Sequence, residues 1–130
     1  MAIPVCADGY TRISSKCICI FDSPSTWLSA LVSCVKEGGI LASVQSEEEQ
    51  DTLTKLSPAG AWIGLSDIQG EGSFSWADGA PLNYTKWRRN QPNNAGLTQH
   101  CVLARPDGEW DDVKCSRAVP FACQKSVNTA

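Results

Sequence analysis

The chain has 130 residues, with 11 Lys and Arg against 14 Asp and Glu and a net charge of −3. Its charges are scattered rather than bunched, which argues against electrostatic binding to nucleic acid, and no apolar stretch reaches the roughly 20 residues that span a bilayer. At this length a single domain over residues 1–130 with a sizeable core is expected.

The N-terminal stretch MAIPVCADGY has no apolar leader, yet seven cysteines follow: Cys6, Cys17, Cys19, Cys34, Cys101, Cys115 and Cys123. That number in a short chain implies disulfides and an oxidising, secreted or extracellular setting, and the two facts agree if this is a mature or recombinant segment whose leader was removed. Zinc is the rival use of cysteine, but Cys17-Ile-Cys19 is too tight for the usual knuckle and the other gaps are wide. In chain order, CICIF reads as a strand. TWLSALVSCVK (26–36) reads as a helix with Trp27, Leu28, Leu31, Val32 and Val35 on one side, stopped by Gly38-Gly39. Ser46-Glu47-Glu48-Glu49 is a capping box that opens a second helix, carrying Leu53 and Leu56 and ended by Pro58. Its three glutamates are expected to be a solvated first turn matched to the helix dipole. Short β-prone runs follow at 61–65, 74–76, 101–104 and 120–125. Helices first and strands later define an α+β fold.

More than thirty residues between Leu65 and His100 carry few helix or strand signals. A compact domain seldom holds so long a loop unless it is functional or disordered. Phe74, Trp76, Leu82, Tyr84 and Trp87 argue against disorder, so something is expected to hold the loop in place, and a bound metal would. Near its end, NQPNNAGLTQHC (90–101) masses side-chain amides around Pro92. It reads either as a surface turn or as a source of oxygens for a hard cation.

Trp62-Ile-Gly-Leu65, Gln91-Pro-Asn93, Trp110-Asp-Asp112 and Pro120-Phe-Ala-Cys-Gln-Lys125 together resemble the C-type lectin-like domain, over Cys6 to Lys125. The resemblance implies two helices flanking small antiparallel sheets, a long calcium-stapled loop and three disulfides. Carried over by position, these are Cys34–Cys123, Cys101–Cys115 and the hairpin Cys6–Cys17 of the long form. Cys19 is left over, either as a small hydrophobe in its strand or as a bridge to a second copy in a homodimer. The implied function is a calcium-dependent carbohydrate-binding module, secreted and of the kind that recognises pathogens in innate immunity. The alternative is a lectin-like domain that recognises a protein or another surface, including ice.

By the same resemblance, Gln91, Asn93, Gln99, Asp111 and Asp112 would hold Ca2+, around a cis bond at Pro92. Of these, Gln91, Asn93, Gln99 and Asp111 would also meet the sugar. Asp67, Glu71 and Asn94 would form an auxiliary metal site, with a solvated acidic turn as the other reading. The family pattern has three carboxylates around the primary ion, whereas only Asp111 and Asp112 are anionic here, so weak calcium binding is expected. With no aromatic side chain in residues 94–99, mannose-type sugars are slightly favoured over galactose. Asn83-Tyr-Thr85 is an N-glycosylation sequon. Lys86, Arg88 and Arg89 form a basic rim near the site. Gly64-Leu-Ser66-Asp-Ile68 lacks the last glycine of a nucleophile elbow, and His100 is the only histidine. Adjacent strand residues such as Asp111 and Asp112 face opposite sides, so no catalytic constellation is expected.

Overall fold

The computed structural model describes residues 4–70, 72–89, 91 and 99–129. Two short strands, β1 (Pro4–Val5) and β10 (Asn128–Thr129), pair antiparallel at the chain ends. The other strands form one sheet around β9 (Val119–Ser126). Its order is β2 (Thr11–Ile13), β3 (Lys16–Ser25), β9, β5 (Ala61–Ser66), β7 (Gln99–Ala104) and β8 (Trp110–Lys114). β4 (Ile40–Leu41) also pairs with β9, and β6 (Ser75–Trp76) with β5. All pairs are antiparallel except β5 with β9, which meet in parallel at Trp62 and Phe121. The long strand β3 precedes both helices, so the expected order of helices first gives way to a sheet that opens and closes the chain.

Helix α1 (Trp27–Lys36) starts where Thr26 Oγ1 accepts the Ser29 N–H at 3.2 Å. Its buried face is rotated from the one that the apolar spacing suggests, although Trp27 and Leu31 do pack against the core. Trp27, Ala30 and Cys34 face the core, whereas Leu28, Val32 and Val35 are 64%, 45% and 56% exposed. The rotation follows from Cys34, which reaches β9 to bond Cys123, and from Ala30, whose small side chain lets the helix lie close to the sheet. Trp27 anchors the first turn by donating Nε1–H to the Ile63 carbonyl at 2.9 Å.

Helix α2 (Glu47–Leu56) has the expected cap: Ser46 Oγ accepts the Glu49 N–H at 3.1 Å. The Glu49 carboxylate accepts one residue earlier than the standard box, from the Gln45 N–H at 2.8 Å, and also pairs with Lys16 at 2.8 Å. Glu49 is therefore buried, and Glu48 alone of the three stays a simple solvated carboxylate. The core has two halves. Trp27, Leu41, Trp62 and Phe121 lie with the Cys34–Cys123 bond between α1 and the sheet, and Leu53, Ile63, Trp76, Val102 and Trp110 lie on the α2 side. The disulfides are Cys6–Cys17, Cys34–Cys123 and Cys101–Cys115, with Cys19 a free, half-buried thiol.

Candidate functional site

The described aromatic residues of the long segment after β5 are organised around one side chain. The Trp110 indole, at the start of β8, is fully buried and forms edge-to-face pairs with Trp76, Tyr84 and Trp87 at centroid distances of 5.5, 5.8 and 5.8 Å. Phe74 packs on Trp87 at 5.1 Å. Edge-to-face pairs of this kind each add about 0.5–1.5 kcal/mol beyond their buried area. The Trp110 Nε1–H is satisfied inside the core by Gln50 Oε1 of α2 at 2.6 Å.

Residues 86–88 are then strapped along β8, with Gln91 turned back onto them. The Trp110 N–H donates to the Lys86 carbonyl at 2.8 Å, the Arg88 N–H donates to the Trp110 carbonyl at 2.9 Å, and the Gln91 N–H closes a turn onto the Arg88 carbonyl at 2.9 Å. From outside, Tyr84 Oη donates to Glu47 at 2.7 Å, and Lys86 Nζ reaches the same carboxylate at 2.5 Å. Hydrogen bonds from Lys86 and Tyr84 hold the Glu47 carboxyl below the usual carboxylate range. Burial and the bond to Glu47 push the Tyr84 phenol up, and the bond to Glu47 raises Lys86 as well. An aromatic nucleus and Glu47 thus hold this part of the loop. The sequence offered the aromatics as groups worth burying, but Glu47 read only as a helix-start charge.

The strap brings Gln91 to the strand that bears Asp111 and Asp112. Asp112 is 1% exposed. Asp111, 18% exposed at the side chain, points to a different set of neighbours: Arg88 Nη1 at 3.5 Å and Arg105 Nη1 at 4.0 Å. The Asp67 carboxylate is buried, and it accepts the Gly72 N–H at 2.9 Å and contacts His100 Nδ1 at 2.9 Å. His100 therefore helps to fix the turn after β5, a pairing with no signal in sequence spacing. Asn93, Asn94, Glu71 and Pro92 lie outside the described residues, and Gln99 is described only through its backbone in β7.

Calcium asks for six to eight oxygens. Among the described candidates, the Gln91 amide and the buried Asp112 carboxylate suit that demand by chemistry. Asp111 fits only if its carboxylate leaves two guanidinium groups that compete with a dication for the same charge. Among the described residues, no three His, Cys, Asp or Glu side chains are grouped to hold a metal ion. The donor set therefore fits an ion in part, with amides where charge is needed for tight binding. Of the basic rim, Arg88 is engaged by Asp111, Lys86 by Glu47, and Arg89 is exposed. The Asn83 side chain is exposed. Ser66 is buried in β5.

The C-type lectin domain profile matches residues 23–125, and the chain belongs to this family. It is a binding module of that class and not an enzyme. Among curated relatives, the galactose-specific lectin nattectin of Thalassophryne nattereri is 33% identical over 94% of this chain and 81% of its own length. The low affinity immunoglobulin epsilon Fc receptor of Mus musculus is 35% identical over 88% of this chain. The match spans only 35% of that receptor's length. Among solved structures, the cow C-type carbohydrate-recognition domain of CD23, determined in the presence of a GlcNAc2Man3 oligosaccharide, superposes with a TM-score of 0.92. It is 34% identical, with 97% of this chain and 99% of that chain covered. A calcium-independent type II antifreeze protein also gives 0.92, at 33% identity over 97% of this chain and 98% of the other. Among the described residues, no helix is long and apolar enough to cross a membrane.

Proposed function

We propose that this domain is an extracellular glycan-binding lectin module whose site is built on the strap and the start of β8, assisted by a weakly held calcium ion. Gln91, Asn93, Gln99, Asp111 and Asp112 are the proposed oxygen donors, with Asp67, Glu71 and Asn94 as an auxiliary set. The observation that supports the reading is the pair of backbone bonds between Trp110 and residues 86 and 88, which fastens the segment leading to Gln91 along the start of β8. When bound, calcium would supply a charge for two vicinal sugar hydroxyls. The amides of Gln91 and Asn93 can donate hydrogen bonds to those hydroxyls, and a carboxylate can accept. The CD23 domain studied with a mannose-containing oligosaccharide agrees with a mannose-type ligand, whereas nattectin's description as galactose-specific favours the other choice. The three disulfides suit an oxidising, extracellular setting.

Calcium that binds the folded chain alone raises its melting temperature, and at 100 times its dissociation constant it adds roughly 2.7 kcal/mol. The expected result is a calcium-dependent rise that chelator reverses and Asp112→Ala removes, together with glycan-array binding in calcium that favours mannose-type sugars. An unchanged melting temperature in millimolar calcium sinks the calcium part, and array binding that survives chelator leaves a metal-free lectin. The second reading, a calcium-independent surface binder, is favoured by the capture of Asp111 by Arg88 and Arg105 and by the likeness to the antifreeze fold. A blank array alongside ice-crystal shaping would establish that one instead.

A further inference from the structure

Cys19 does not stand alone. β3 and β9 run antiparallel with Cys19 directly across from Cys123. Residues opposite one another in such a pair share a face, with Cβ atoms about 4.5–5.5 Å apart. The next pair on the same face, Phe21 and Phe121, shows the sharing directly, its rings stacked at 5.2 Å. Cys123 is in turn the sulfur to which Cys34 of α1 is bonded. A free thiol is thus borne by the residue directly across the strand pair from one half of the bond that fastens α1 to the sheet.

We propose that Cys19 is an internal exchange partner of the Cys34–Cys123 disulfide, taking Cys123 and releasing Cys34, so that α1 can be covalently fastened to β9 or freed from it. The step balances within the chain. The Cys19 thiolate attacks Cys123 Sγ, a Cys19–Cys123 bond forms as the Cys34–Cys123 bond breaks, and Cys34 departs as a thiolate. Cys34 then takes up a proton in place of the one that Cys19 gave to solvent. One disulfide and one thiol are present before and after, so no oxidant is consumed.

The surroundings act as a guard on this step. Glu37 at the end of α1, Asp22 of β3, Lys125 of β9 and Tyr10 ahead of β2 face the thiol. Burial raises its pKa, Glu37 and Asp22 raise it further, and Lys125 opposes them. Burial and Glu37 likewise push the Tyr10 phenol up to about 12, so Tyr10 stays neutral and adds no charge here at neutral pH. Attack needs the thiolate, so the protonated thiol keeps the native pairing in place at neutral pH. Below the thiol pKa, the exchange rate should rise about tenfold per pH unit, because the thiolate fraction does.

The test uses the whole chain. Native protein is held without added thiol or oxygen at a series of pH values, quenched in acid, alkylated and mapped. The expected result is alkylation that moves from Cys19 to Cys34 with time, with a Cys19–Cys123 peptide appearing. The rate should climb about tenfold per pH unit, increase in Glu37→Gln, fall in Lys125→Gln, and vanish in Cys19→Ser. In Cys34→Ser, oxidative refolding should join Cys19 to Cys123. Label that remains on Cys19 at every pH overturns the proposal, even if Cys34→Ser fails to fold. A folded Cys34→Ser that keeps both thiols free overturns it as well.

Discussion

Asp78 accepts hydrogen bonds from Ser43 Oγ at 2.6 Å, Gln124 Nε2 at 2.9 Å and the Ala80 N–H at 2.9 Å, tying three separate segments together. Burial pushes its carboxyl up, but these bonds and the charge of Lys16 outweigh burial and hold it below the ordinary range. A carboxyl depressed in the folded state stabilises fully above its unfolded value and loses that contribution as pH falls through the folded one. Asp78→Ala should therefore cost about 1–2 kcal/mol at neutral pH, because the hydroxyl of buried Ser43 exchanges a 2.6 Å bond to a carboxylate for its long 3.4 Å contact with Gln124 Oε1. Urea melts of both proteins should converge as the pH drops below the ordinary carboxylate range. Gly64 makes a steric argument instead. It donates its N–H to the Ala42 carbonyl at 2.8 Å, and a Cβ there would lie 2.8 Å from the Leu41 carbonyl oxygen. Gly64→Ala should destabilise the chain by about 1–3 kcal/mol through forced separation of β4 and β5, read as a lower melting temperature.

Among the elements, α2 shows best what a sequence can and cannot announce. Its start was legible, since a Ser with Glu three residues on is a local pattern that needs no tertiary knowledge. The role of its Gln50 was not. That side chain is 1% exposed and supplies the acceptor for the Trp110 indole N–H across sixty residues of chain. Gln50→Leu keeps the volume but strands a buried donor, so it should cost about 1–3 kcal/mol, seen in equilibrium denaturation. Trp110→Phe should cost less on the Gln50→Leu background than in the original chain, because it then removes an unsatisfied donor instead of leaving the Gln50 acceptor unpaired. Helix α1 illustrates the opposite failure. Apolar spacing pointed Leu28, Val32 and Val35 inward, whereas the bond between Cys34 and Cys123 turned the helix so that they face out. The strands of residues 61–65 and 120–125 were visible as β-prone runs. The two-residue strands β1, β4 and β10 were not, because so short a run has no periodicity to read. In the candidate site, Gln91, Asp111 and Asp112 were legible as candidates for oxygen donors. The arginines that claim Asp111 were not, since Arg105 lies six residues away and meets it only across the β7–β8 hairpin.

On the scale of the whole molecule, three covalent links and one short ladder decide how the chain would answer a pull. Pro4 lies opposite Thr129, so tension applied at the ends would unzip β1 from β10 one pair at a time, the weakest way to load a ladder. Beyond that point the disulfides take the load. Separations of 11 residues at Cys6–Cys17 and 89 at Cys34–Cys123 are bypassed. Of the 125 steps from Pro4 to Thr129, only 25 can pay out, roughly 80–90 Å at 3.3–3.6 Å per residue. A reduced chain would release more than about 400 Å by the same measure. In optical tweezers, the oxidised domain should lengthen in one short, bounded event at low force, and reductant should replace it with the long one. The arrangement behaves as a tether with a stop, giving a little slack early while residues 84–91, enclosed by the Cys34–Cys123 link, are shielded from tension.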